Sequence, residues 1–244
     1  MKYSRKEFLR RIGAAGIIVP VATACAKDDP SPTTTTTSTT TTSGSCSVMP
    51  TETEGPFPYP GGEANNPLQR VDVTEGQPGV PLALTLTVVN VNNSCAVVSG
   101  ARVDIWCCNK DGYYSGYGGQ PGLLGTQSYI GQTWLRGFQL TDSEGKAKFT
   151  SIYPGWYGGR ATHIHLEVFV GGVMKKTSQM AFSESVSDVV HVSSLYASHG
   201  INTTRNASDN IFNNSATDLA SEMLSLTGSV AAGYEGTLTI GIAL

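Results

Sequence analysis

Nine residues, Tyr157 to His165 in the stretch GWYGGRATHIHLEVF, hold a phenol, a guanidinium and two imidazoles. The second half of the stretch reads as a β-strand, and residues two apart on a strand leave from one face. His163 and His165 therefore project together with Ile164 behind them, an arrangement that lets two neutral imidazoles bond one metal ion. Imidazole suits Zn, Cu, Fe and Ni alike, and a His-x-His pair is also common at surfaces and in satisfied cores. Tyr157, set in a Pro-Gly turn, narrows the choice. A phenol loses its proton only near pH 10, so phenolate ligation needs a strong positive charge beside it. That points to ferric iron, whereas a zinc or copper site would need no tyrosines. More phenols follow another strand in WCCNKDGYYSGY, where Tyr113, Tyr114 and Tyr117 lie in a Gly-rich loop suited to presenting ligands. Two phenolates and two imidazoles would leave a ferric ion one net positive charge and room for substrate.

The elements that must position these groups are strands. LALTLTVVNV (Leu82 to Val91) and ARVDIWCC (Ala101 to Cys108) alternate with period two. Trp134 to Ile152 reads as two strands around an Asp/Gly turn, Thr162 to Phe182 as two around Gly171-Gly172, and Tyr234 to Leu244 as a last strand. Short helices are expected only at Ser185 to Tyr196 and Ala216 to Ser225. Hairpins at this spacing predict an all-β fold, a β-sandwich with a few short helices. GARVDIW and TDSEGKAKFTSIYPGWY resemble transthyretin (prealbumin)-like and carboxypeptidase-regulatory-like sandwich modules. Many of those only bind or space other domains, so a non-catalytic surface binding module stands as an alternative that the fold cannot exclude.

The chain has 244 residues, 14% of them charged, and a formal net charge of −3. It has no basic stripe of the kind a nucleic acid requires. Its start has a basic head and an apolar run from Ile12 to Val21, too short to span a bilayer comfortably. Residues 1–24 therefore read as an export signal. ATAC resembles a bacterial lipobox, with Cys25 the lipidated residue, and SRKEFLRR resembles a twin-arginine motif with Lys6 in place of the second arginine. Residues 25–45 read as a lipidated cysteine and a Ser/Thr-rich linker that cannot offset its own chain entropy. The domain is expected at 46–244. The expected location is that of an exported lipoprotein, periplasm-facing or on the cell surface, touching the membrane by its lipid alone. In a compartment that permits disulfides, one bridge is expected between two of Cys46, Cys95 and Cys108. Cys107 and Cys108, adjacent on a strand, should face different environments.

Four blocks in order, TETEGPFPYP, VDIWCCNKDGYYSGY, LRGFQLTDSEGKAKFTSIYPGWYGGRATHIHLEVF and SQMAFSESVSDVVHVSSLYASHG, resemble the intradiol ring-cleavage dioxygenases, the family of protocatechuate and catechol dioxygenases. The resemblance spans Cys46 to Leu244 and is strongest to exported single-chain members. It implies one Fe(III) per chain, held by Tyr114, Tyr157, His163 and His165, with Tyr157 and His163 axial. It also implies a catechol-type substrate and O2, the bond between the two hydroxylated carbons being cut to give a muconate-type dicarboxylic acid. Tyr157 would leave the metal as substrate binds and accept a proton, and Arg160 would stabilise developing negative charge as an oxyanion-hole donor does. Gln179 and the turn of Thr53, Gly55 and Pro56 would line the substrate pocket beside Arg160. A homodimer is a family-level expectation. Two departures stand out: Cys107-Cys108 where exported relatives often have His-Cys, and Tyr113 beside Tyr114.

Overall fold

Every second side chain of Pro81–Asn90 is buried, Leu82, Leu84, Leu86 and Val88 pointing to one side. This strand, β1, is followed by β2 (Ala96–Val97), β3 (Arg102–Trp106), β4 (Arg136–Leu140), β5 (Lys146–Ile152), β6 (His163–Val170), β7 (Val173–Ala181), helices α1 (Glu184–His191) and α2 (Ala216–Glu222), β8 (Ser225–Ser229) and β9 (Gly233–Ile242). The computed structural model describes residues 46–244. The expected signal segment, Cys25 and the Ser/Thr-rich linker lie outside the described residues. Among the described residues no helix is long and apolar enough to cross a membrane.

The strands form two sheets. In the first, β1 lies between β9, which runs parallel to it, and β5, with β2 continuing along the β5 edge and β8 beyond β9. The second is antiparallel in the order β4-β3-β6-β7. One apolar cluster joins them, with Leu84, Phe149 and Ile240 from the first sheet and Val103, Ile105, Ile164, Leu166 and Met180 from the second. The result is a mostly β sandwich with two short helices, close to where the period-two segments and the helical stretches place them.

One expected hairpin is corrected. The strands within Trp134 to Ile152 join different sheets, β4 pairing with β3 and β5 with β1. Asp142 explains the turn: its Oδ1 accepts from the amides of Glu144 (2.8 Å) and Lys146 (2.9 Å), which reverses the chain by side-chain capping and needs no ladder between the arms. β2 and β8 escaped the pattern because neither buries an alternating face. The disulfide joins Cys46 and Cys95. Cys107 and Cys108 are free and buried just past the end of β3, Cys107 in the inter-sheet core and Cys108 in a separate cluster with Trp106 and Tyr114.

Candidate metal centre and active site

Strand β6 is buried on both faces. Ile164, Leu166 and Val168 enter the sandwich core, so alternation sends His163, His165 and Glu167 to the outer face of the sheet. Register then aligns a row across all four strands: Arg136 opposite Trp106, Trp106 opposite His165, His165 opposite Gln179. Trp106 lies flat on His165, ring centroids 4.9 Å apart and planes 5° apart. On another side of that imidazole stands Gly55, where a Cβ would lie 3.0 Å from His165 Cε1 and where φ is +71°. Only glycine meets both demands cheaply.

The tyrosines arrive on loops. Gly155 donates its amide to the Asn109 carbonyl (3.1 Å), and a Cβ at Gly155 would stand 2.3 Å from the Lys110 carbonyl oxygen. The Pro-Gly turn and the loop after β3 can therefore touch backbone to backbone, which brings Tyr157 and Tyr114 to the same place. Gln120 clamps Tyr114 at both its amide (2.8 Å) and its carbonyl (2.7 Å). The neighbouring phenols turn away, Tyr113 donating to the Gly125 carbonyl (2.6 Å) and Tyr117 to the Pro58 carbonyl (2.8 Å). Of these three, Tyr114 alone enters the cluster. Phe57 stacks on its ring at 4.8 Å.

His163 Nε2 is 3.1 Å from His165 Nε2, 3.1 Å from Tyr157 Oη and 3.4 Å from Tyr114 Oη, and Tyr114 Oη is 3.1 Å from His165 Nε2. His163 Nδ1 donates to the Ala161 carbonyl at 2.6 Å, so its Nε2 faces this group with a lone pair. With bonds of about 2.0–2.1 Å, usual for nitrogen and oxygen donors, tetrahedral ligand atoms stand about 3.3 Å apart. The spacing of the four atoms fits a single ion. So does their electrostatics. Burial, with Arg160 close by, pushes His163 down to about 3, and burial also drives His165 well below the usual imidazole value. Both rings are thus neutral, the form that can bond a metal. Burial likewise raises Tyr114 and Tyr157 above the usual phenol value, so only a strongly charged cation between them can hold the phenolate forms. Among the described residues no three His, Cys, Asp or Glu side chains gather as a metal site. A cation held by this cluster would therefore depend on the phenols as well as the imidazoles.

Arg160 borders the cluster, its Nη1 3.4 Å from His163 Nε2 and its Nη2 donating to Gln179 Oε1. Gln179 in turn donates to the Thr53 carbonyl (2.9 Å), tying the turn of Thr53, Gly55 and Pro56 to β7. Thr53 Oγ1 accepts from the Gly55 amide (3.1 Å), and Pro56 is exposed. Tyr114, Tyr157, Arg160, His163, His165, Gln179 and the turn at Thr53 and Gly55 thus come together from four separate parts of the chain. Sequence reasoning missed two groups. Asp209, fully buried, holds Arg160 Nε at 2.9 Å. Arg136, 1% exposed, donates to Ser115 Oγ (2.9 Å) and carbonyl (2.8 Å) and lies 3.9 Å from the buried Glu63 carboxylate. Arg136 had one available signal, its place on a strand whose register the sequence leaves open.

A dioxygenase family model matches residues 53–216, more than half of the chain. An intradiol ring-cleavage dioxygenase from Tetranychus urticae is 28% identical with a TM-score of 0.71, the match covering 81% of this chain and 95% of that one. The dioxygenase domain of a dioxygenase–carbohydrate-binding fusion from Streptomyces sp. SirexAA-E shares the fold at 23% identity and TM-score 0.58, over 81% and 99% of the two chains. So does 3-chlorocatechol 1,2-dioxygenase from Rhodococcus opacus 1CP, at 18% and 0.55, over 80% and 72%. A comparison with curated proteins finds no match. The chain belongs to the intradiol ring-cleavage dioxygenases, oxidoreductases that incorporate O2.

Proposed function

We propose that this chain holds one ferric ion between Tyr114, Tyr157, His163 and His165 and uses O2 to cleave an aromatic 1,2-diol between its hydroxylated carbons. The observation that carries the reading is the meeting of two imidazole Nε2 atoms and two phenol oxygens in a buried setting, with four contacts of 3.1–3.4 Å among them. When bound, a ferric ion supplies the Lewis acidity that holds a catecholate and makes its ring reactive toward O2. The chain's own groups do the rest. Tyr114 is fully buried under Phe57, whereas Tyr157 is only partly buried and is followed by the exposed Gly158 and Gly159. Tyr157 is thus the less confined of the two phenols, and as a phenolate its Oη would take a proton from an entering diol. Arg160 Nη1 faces the same space and stabilises negative charge that develops there. Gln179 keeps the guanidinium turned toward the cluster, and Phe57 and Trp106 exclude water.

The test is reconstitution of the purified domain with iron, followed by a panel of catechols. Expected are one iron per chain, a red-brown phenolate charge-transfer band, O2 uptake and a ring-opened diacid by mass. A colourless iron-loaded protein that takes up no O2 with any catechol overturns the reading. We also infer export as a lipoprotein anchored through Cys25, supported by the basic head, apolar run and ATAC motif. Cys25→Ala should move the protein from the membrane to the soluble fraction.

A further inference from the structure

Asp209 has no exposed surface, and donors surround its carboxylate. Oδ1 accepts from the amides of Ile211 (2.8 Å) and Phe212 (3.4 Å). Oδ2 accepts from Arg160 Nε (2.9 Å) and from the amide of Ala161 (2.6 Å). The same Ala161 gives its carbonyl to His163 Nδ1 at 2.6 Å. One carboxylate thus reaches two groups of the cluster, Arg160 directly and His163 through a single residue. The guanidinium is consequently shared out: Nε to Asp209, Nη2 to Gln179, and Nη1 toward the space at His163 Nε2. Asn202 closes the unit by donating to the Arg160 carbonyl (2.9 Å).

We propose that Asp209 is the positioning residue of this site, locking Arg160 and His163 into one rigid piece. The inference rests on the dioxygenase reading for its kinetic consequence, while the lock itself is a property of the protein without metal. Three features favour it over simple loop capping. The loop amides need only Oδ1, so Oδ2 is available for the site. The ion pair is buried, with Arg160 13% and Asp209 0% exposed, where charge-assisted bonds are strong and screening is weak. The Ala161 carbonyl is the acceptor that fixes the His163 tautomer, and Asp209 holds that residue by its amide; loss of the support behind a metal-ligating histidine typically costs about 10–100-fold in metal affinity or activity.

The experiment compares Asp209→Asn, Asp209→Glu and a control, Arg205→Ala, which loosens the same segment at its surface pair with Asp188. In Asp209→Asn, Oδ1 can still cap the loop, but the amide NH2 would meet two donors, Arg160 Nε and the Ala161 amide. Expected are full iron loading, a retained visible band, kcat lowered about 10–100-fold with a smaller change in KM, and partial recovery in Asp209→Glu. In the metal-free protein the Arg160 Nε–H signal in a 15N spectrum should be protected in the parent and in Arg205→Ala and lost in Asp209→Asn. An Asp209→Asn protein with kcat within twofold of the parent, or with that signal unchanged, overturns the proposal. If Asp209→Asn does not fold, Asp209→Glu decides by the same two readouts. A parent protein inactive on every catechol, with the signal still lost in the variant, sinks the dioxygenase reading and leaves the lock standing.

Discussion

The two walls of the cluster are built differently. The imidazoles come from one strand, where alternation and cross-strand register fix them, and where Trp106, Gln179 and Gly55 crowd their flanks. The phenols come from two loops held by backbone contact at Gly155, by the Gln120 clamp and by a buried Arg136–Glu63 pair. The strand wall owes its geometry to the sheet as a whole. The loop wall owes its geometry to a few polar contacts, each of which can be removed singly. Under the proposed ferric reading this difference suits a ligand that moves, because a phenol on a turn can swing where an imidazole inside a ladder cannot.

The largest effect should follow from removing a strand ligand. His165→Ala, still folded, is expected to lose more than about 100-fold in iron affinity, beyond what loss of a supporting partner costs; gel filtration followed by metal analysis reads it. Arg136→Met tests the loop wall. It strands the Glu63 carboxylate and frees Ser115, so about 3 kcal/mol of stability should go. The charge-transfer band should move as Tyr114 loosens, and Glu63→Gln in the same chain should restore part of the loss through coupling. An unshifted band in Arg136→Met would mean that Tyr114 does not depend on this pair. Gly155→Ala comes next. The added Cβ would lie 2.3 Å from the Lys110 carbonyl, whereas at Gly158 on the same turn nothing stands within 4 Å. Gly155→Ala should lower stability by about 2 kcal/mol, hence Tm by roughly 4–8 °C, and Gly158→Ala should leave it nearly unchanged.

The same contrast explains what the sequence makes legible. His163 and His165 follow from period two within one strand, and Tyr157 from its Pro-Gly turn, because these are local relations. Tyr114 was distinguishable from Tyr113 only by family spacing, since what separates them, Gln120 and the Gly125 carbonyl, acts through loop conformation. Asp209 lies 49 residues from Arg160 in a segment without periodicity, and no local pattern could pair them. Arg136 required the register of β4 against β3, which depends on the whole sheet. The crossing of β4 to β5 between sheets was likewise hidden, because a tight Asp turn looks the same whether its arms pair or part.

Acids buried behind each wall give the smallest effect and a way to tell the walls apart by pH. Behind β7, Glu222 is pushed up to about 8, chiefly by burial and then by Glu52 and Asp218, with Ser178 as its hydrogen-bond partner. Behind the loop wall, Glu63 is pushed up to about 7 by burial, against the Tyr59 amide and Arg136. A carboxyl raised in the folded state binds its proton more tightly there than in the unfolded chain. Its contribution is therefore complete below about pH 4.5 and is lost as pH rises through the folded value. The buried histidines all lie below 6.5 and still take up some proton on unfolding near pH 7. The thiols of Cys107 and Cys108, raised by burial, also lose stability as pH climbs toward 9. The two acids are therefore read between pH 7 and 9 from the difference between each variant and its parent. There Glu222 has about 1 kcal/mol still to lose, whereas Glu63, with the lower folded value, gives up less than about half as much. Thermal melts of the metal-free protein should show Tm falling across this window. Glu222→Gln should remove more of the slope than Glu63→Gln, whose effect is confined to the lower end of the window. The reverse ranking would place the softer acid behind the loops and make the strand wall the one that yields first.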